Sequence, residues 1–503
     1  MNSKICVLTV LAVCIGLLLT GFSTGLLEIS VSLSFNGVMQ QTSTTPAGTY
    51  SYIINVSGLN YQMTNGITGQ VGFQSKNASQ VINDAIGNLT GGGNILFGSG
   101  TYNLQGSISG FYEDNVSLAF ADGAMLFVAN GMNAPAINLI ACNNWTISGV
   151  TINGNAANQI VAQTCDGIRL FACTNCLVDD ANIYNCRIYG FFAFGANSVN
   201  AIDDGINDSK ITCCGWNGIT LGGWGGELSL YATNDEVAYC GDVGITNFGI
   251  GDIITANYVH DMNGTTGSND ARWGIAAEGG GNDTITGNTI YNVESGVTLS
   301  STGSGNCTVS QNIIYNWDTY NWSQPAINVL TNSNLITENQ IISNGTYSNE
   351  QGIGICGNGN VLSTNEITLP SNGYAINIGS DATNTTISGN DINAVCTIND
   401  EGPDTRILDN QGYNPVGYIS NPINPGEATL VDKGSSSTWI SGTIYTDWES
   451  PKILYISGGT VTAIVYDGQI LYTSATNCSI TLYPGDTFSV TFSTAPTINA
   501  YGQ

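Results

Sequence analysis

An all-β chain built around a parallel β-helix is the fold class this sequence predicts, on three observations. Short strand-like runs recur at a nearly constant interval. Asparagine, glycine and aspartate break each run before it is long enough to bury its own apolar face. A lone amphipathic helical pattern stands ahead of the repeats, where an open-ended array needs a cap.

Composition sets the frame. Of 503 residues, 42% are hydrophobic, too many for a disordered chain. Acidic residues outnumber basic ones 37 to 9, for a net charge of −28. Such a chain repels a phosphate backbone, which excludes nucleic acid as a partner. Polyanionic glycans are disfavoured too, unless Ca2+ bridges the like charges.

Residues 1–25 place Lys4 before an apolar run from Ile5 to Leu19, the pattern of a signal peptide or membrane anchor. Either exports the remainder, giving an extracellular or cell-surface protein whose N-terminal segment alone contacts membrane. Sequons at Asn88 and Asn144 agree with export and with glycosylation. The chain has 14 cysteines. Those beyond Cys14 recur at repeat positions, where buried thiols pack as small hydrophobes, and an oxidising exterior also permits disulfides. Residues 26–72 are strand-like, and "NASQVINDAIGNLT" (77–90) is the capping helix.

Repeats fill residues 73–412. Asn288, Asn312, Asn339, Asn365 and Asn390 stand 24, 27, 26 and 25 residues apart. A second column runs through Ile168, Phe192, Ile219, Ile245, Ile275, Val297, Ile327, Ile353, Ile376 and Ile398. Stacking the turns at about 4.8 Å sets Ile on Ile and Asn on Asn. An Asn in a tight corner tolerates left-handed backbone and bonds its equivalents above and below. A Pro-rich linker (413–428) leads to residues 429–503, whose strict alternation predicts a small β-sandwich.

The stretch "ASQVINDAIGNLTGGGNILFGSGTYNLQGSI", followed by "NVSLAFADGAMLF" and "NNWTISGVTING", resembles the entry of the pectin-lyase-like right-handed parallel β-helix superfamily. That resemblance covers about residues 73–412 and implies a right-handed coil. Its members include polysaccharide lyases, glycoside hydrolases, epimerases, phage tailspikes and non-catalytic surface proteins, so it fixes fold rather than activity. Residues 429–503 resemble the modules appended to tailspikes and secreted β-helix proteins. The expected function is binding, with cleavage by a hydrolase or lyase mechanism, of a polysaccharide or cell-surface glycan. The alternative is a non-catalytic adhesin or tailspike-like receptor-binding protein, with the terminal module as receptor-binding or homo-oligomerising tip.

Thirty-residue intervals carry insertions: 260–273, 317–325 and, shorter, 344–351, all before the same strand and hence on one edge. There Trp273, Trp317, Tyr320 and Trp322 offer flat faces to sugar C–H groups, while Asp318 and Glu350 accept hydroxyl hydrogen bonds. His260 beside Asp261 forms a general-base pair, with Arg272 to stabilise negative charge and Glu278 nearby. His260 also shares a column with Tyr184, Tyr291 and Tyr315, which suits a stacking ring. The resemblance to pectate lyases implies an acidic Ca2+ site, for which Asp203, Asp204 and Asp242 are the candidates, with Asp166 beside them and Arg169 or Lys210 as the basic residue. Asp203–Asp204 is similar to the paired carboxylates of polygalacturonases, but the Gly-His-Gly and Arg-Ile-Lys motifs of that family do not occur here.

Overall fold

The computed structural model describes residues 50–502, apart from 161–164, 196–200, 224–226, 263–270, 301–304, 320–322, 346–349, 413–426, 430–443, 447–451, 458, 467–468, 473–476, 483–486 and 495. Each turn of the solenoid contributes three short strands. A representative turn runs through Ile253–Thr255, Tyr258–His260 and Trp273–Ala277. The first strands of successive turns form one sheet, from Gly93–Phe97 to Arg406–Leu408; the second and third strands form two stacks of another. Every turn-to-turn pairing within these stacks is parallel and nearly every one in register, for example Ile285 on Val309, Ile290 on Ile314 and Val297 on Ile327. These residues are all fully buried, so period-two alternation directs one apolar column from each stack into the bore. The fold is a parallel β-helix.

Asparagines hold the corner between first and second stacks. Asn288 donates its N–H to Asn312 Oδ1 at 3.0 Å and its amide to the same oxygen at 2.9 Å. Asn312, Asn339 and Asn365 repeat the arrangement with the next rung. The left-handed residue is the one before each: Gly287, Gln311, Glu338, Thr364 and Gly389, with φ between 53° and 65°. Turning the chain and stacking the amides are thus divided between two neighbours.

Helix Ala78–Gly87 begins at Asn77, whose side chain accepts the Gln80 N–H, and buries Val81, Ile82, Ala85 and Ile86 in the same core. Three antiparallel strands, Tyr52–Ser57, Asn60–Asn65 and Val71–Ser75, extend the first sheet beyond Gly93–Phe97. Within the C-terminal region, a five-stranded and a three-stranded sheet enclose a separate core of Leu454, Ile456, Ile464, Leu482, Phe488 and Val490. That is a small β-sandwich.

One expectation about the columns changes, and the cysteines pack as expected. Ile168 pairs with Phe191, not Phe192, so Phe191 points into the bore and Phe192 points out. Cys186, Cys214 and Cys240 stack as free, buried thiols at the corner after the second stack. Met262, Val293 and Trp317 continue that column.

Candidate functional site

The outer face of the third stack gathers aromatic rings over its early turns. Strand Phe191–Phe194 lies in register beside Ile168–Phe171, which sets Phe192 next to Arg169 and Phe194 next to Phe171. Phe192 and Phe194 stack at 4.1 Å between centroids, and Phe171 lies 4.9 Å from Phe194. Tyr189 lies 4.9 Å from Phe192 and 6.0 Å from Trp216, whose side chain is 41% exposed. The Arg169 guanidinium carbon sits 4.7 Å from the centre of the Phe194 ring, a cation–π contact that fixes the group over the platform. Five rings thus form one continuous strip across adjacent turns.

Asp166 closes one side of this strip. It is 2% exposed and accepts the Tyr189 N–H at 3.4 Å. Burial pushes its carboxyl up to about 7, although Arg169 pulls the other way. Tyr189 is raised to about 12, by burial first and then by the charges of Asp166 and Asp242. Asp166 is therefore a buried carboxyl at the edge of the rings whose neutral form is favoured by its burial.

Of the residues predicted as catalytic, His260 and Asp261 lie together, and Arg272 and Glu278 lie at opposite ends of another strand. His260 ends strand Tyr258–His260 of the second stack, in register with Tyr291 and Tyr315 as its column requires. Its Nδ1 lies 2.8 Å from Asp261 Oδ2 and its Nε2 3.5 Å from Glu236 Oε1. Tyr258 stacks on it at 4.2 Å. Lys210 binds Glu236 at 2.6 Å, and Asn292 donates to Asp261 Oδ1 at 2.5 Å. Burial pushes Glu236 up, but Lys210 and His260 hold it below its ordinary value; Asp261 is lowered likewise against its burial, by His260 and Asn292. The imidazole, 9% exposed, is therefore held on two edges and one face. A shallow groove of about 440 Å3 adjoins this network, lined by Asn185, Arg187, Cys213 and Tyr239. Arg272 precedes and Glu278 follows strand Trp273–Ala277, so their backbones stand about 20 Å apart. Burial, then the charge of Asp242, raises the Glu278 carboxyl.

The predicted sugar contacts change most. Trp317 is fully buried in the bore, at the corner position of Cys240, Met262 and Val293, so it has no free face. Asp318 and Glu350 are also fully buried; Asp318 accepts the Gln324 N–H at 3.3 Å and Glu350 accepts the Ser343 hydroxyl. Trp273 is half-buried at the start of its strand. Tyr320 and Trp322 lie outside the described residues.

The Ca2+ candidates are not brought together. Asp203 and Asp204 precede a first-stack strand, Gly205–Asn207, whereas Asp242 precedes a third-stack strand, Val243–Asn247. Asp204 is fully buried and accepts the Cys176 N–H at 2.8 Å. Among the described residues no three His, Cys, Asp or Glu side chains are gathered to hold a metal ion.

By sequence, no family model and no curated protein matches the chain. By structure, the N-terminal fragment of bacteriophage Phi29 gene product 12 is similar with a TM-score of 0.53 at 14% identity, over 66% of this chain and 63% of that one. The A-module of Azotobacter vinelandii mannuronan C-5 epimerase AlgE6 gives 0.46 at 17% identity, over 66% and 93%. The Streptococcus pneumoniae surface protein and adhesin PfbA gives 0.46 at 15%, over 65% and 94%. The first of these likenesses, at a TM-score of 0.53, shows a shared β-helix fold.

Proposed function

We propose that this chain is an exported protein that binds an uncharged polysaccharide along the outer face of its third stack. The observation that carries this reading is the strip Phe171, Phe194, Phe192, Tyr189 and Trp216. Sugar rings present C–H faces that pack against aromatic side chains reaching the surface, here chiefly Phe192 and Trp216, and the strip spans two turn intervals, about 10 Å, comparable to a disaccharide. Charge favours a neutral glycan. Arg169 is held by the rings and faces Asp166, and Lys210 is paired with Glu236, within a chain of net charge −28. Calorimetry with neutral glucans, xylans and mannans, and with uronans for contrast, tests the reading. Phe192→Ala and Trp216→Ala should each weaken binding by about 1–3 kcal/mol while leaving the melting temperature nearly unchanged. Failure of the parent to bind any neutral glycan would refute it.

A second reading, cleavage of the bound chain, is favoured by the proton that Asp166 retains beside the strip. Asp166→Asn should then abolish release of reducing ends with affinity largely preserved. An adhesin would show no release in either form.

A further inference from the structure

We propose that Asp235 and one carboxyl of the Asp252–Asp283 pair, that of Asp252, are held as neutral carboxylic acids in slots built for asparagine, so that protons lock the middle of the β-helix and the array loosens as the medium turns alkaline.

The asparagine ladder defines what such a slot requires. Asn288 Oδ1 accepts both the N–H and the side-chain amide of Asn257, each at 2.9 Å. The Asn288 amide in turn donates to the Ile254 carbonyl at 3.0 Å and to Asn312 Oδ1 at 2.9 Å. Each rung therefore carries one accepting and one donating atom.

Asp235 is the rung before Asn257. Its Oδ1 accepts the Ser209 N–H at 2.9 Å, and its own N–H reaches Asn257 Oδ1 at 2.9 Å, as an asparagine would. By the geometry of the rungs, Oδ2 stands where the amide nitrogen belongs, beside an acceptor. It is buried and makes no hydrogen bond. A carboxylate there presents oxygen to oxygen; a carboxylic acid restores the missing donor.

A second ladder precedes the first stack. Asn334 donates its N–H and its amide to Asn360 Oδ1, both at 2.9 Å. Asp252 and Asp283 occupy the same positions on earlier turns. Asp252 accepts the Leu230 N–H at 2.8 Å and donates its own N–H to Asp283 Oδ1 at 3.1 Å. Asp252 Oδ2 thus takes the amide's place against another buried carboxyl, and has no hydrogen-bond partner. Two adjacent buried carboxyls cannot both ionise cheaply.

The charged groups that face these residues are themselves acidic: Asp208 and Asp179 around Asp235, and Asp283 and Glu227 around Asp252. Facing Asp283 are Asp252 and two donors, the Cys307 thiol at 3.5 Å and the Asn247 amide, which favour its charged form and leave the pair's proton to Asp252. Burial is the largest influence on all three carboxyls and acts in the same direction, raising them. The native state therefore holds protons that the unfolded chain releases above about pH 4. Stability from these groups is complete below that point and falls as pH rises toward the folded values. While a proton is retained only by the native state, the unfolding constant climbs up to about tenfold per pH unit.

Thermal melting of the full chain from about pH 4 to pH 8, with infrared detection of protonated carboxyl groups, tests the proposal. The parent's melting temperature should fall across this range and its protonated-carboxyl band should persist to neutral pH. Asp235→Asn and Asp252→Asn supply the donor permanently. Each should flatten the pH dependence, raise the melting temperature at the alkaline end and reduce the infrared band. A parent whose stability is constant or rises with pH overturns the proposal, as do Asn variants less stable at the alkaline end. Should a variant fail to fold, the parent's infrared spectrum still decides: no protonated-carboxyl band near pH 6 overturns it as well.

Discussion

Asn312→Ala measures how much one rung of the buried ladder contributes. The Asn312 side chain takes part in four hydrogen bonds: Oδ1 accepts from Asn288 N and Nδ2, and Nδ2 donates to Ile285 O and Asn339 Oδ1. Truncation leaves the buried Asn288 N–H without its acceptor and takes a donor from Ile285 O. Two other atoms keep a partner: Asn288 Nδ2 still donates to Ile254 O, and Asn339 Oδ1 still accepts the Asn312 N–H. Each buried group left unsatisfied costs about 1–3 kcal/mol, so with two such groups the variant should lose about 2–6 kcal/mol. Urea unfolding followed by circular dichroism gives that number, with an unchanged slope confirming that both proteins expose the same surface. Thr286→Ala is the control, because its hydroxyl bonds Ser310 on the outward, partly exposed side of the first stack. It should change stability by no more than about 0.5 kcal/mol. A loss for Asn312→Ala as small as the control's would refute the reasoning, since water would then be satisfying groups placed here in a dry corner.

Two further expectations concern residues with contrasting burial. Trp317→Ala empties a fully buried site in the bore and should cost about 3–5 kcal/mol by denaturation, while the folded fraction binds glycan as the parent does. Asp166 keeps its proton up to about 7 in the folded chain, against about 3.9 for an ordinary aspartate. The native form is then the better proton binder, so its contribution to stability is complete below about pH 4 and disappears as pH rises to about 7. Melting curves of Asp166→Asn should lack this component of the pH dependence.

The fold was legible because its determinants repeat along the chain. Asn288 to Asn390 and Ile219 to Ile398 mark two corners of every later turn, and the pairing of strands confirms their register. The early turns were less legible for a physical reason. "GFFAF" (190–194) offers aromatic residues in both phases of a period-two pattern, so hydrophobicity alone does not choose between them. Gly190 does: its amide bonds Asn217 O and Gly218 O at the closely packed start of the strand, which makes Phe191 the first inward residue. A slip of one residue places Phe192 in the bore and hides the aromatic strip.

Trp317 shows a second way in which sequence spacing misleads. An interval of 30 residues reveals that a turn is enlarged, but not where the enlargement begins. The corner triplets "YNC" (184–186), "AYC" (238–240), "HDM" (260–262), "YNV" (291–293) and "YNW" (315–317) align without a gap. Their third residues, Cys186, Cys240, Met262, Val293 and Trp317, are all buried in the core. The inserted chain therefore starts only after this third position, and a tryptophan there fills the same bore as a cysteine or methionine. Residues that belong to the regular corner answer to packing, whatever their chemistry suggests. The rings of the outer strip follow the converse rule. Phe171, Phe192 and Phe194 lie on regular strands but on the outward phase, where packing into the bore makes no demand for an aromatic. Strands fixed by turns above and below hold those rings more rigidly than an inserted loop would, which suits a surface that must keep its rings in fixed positions.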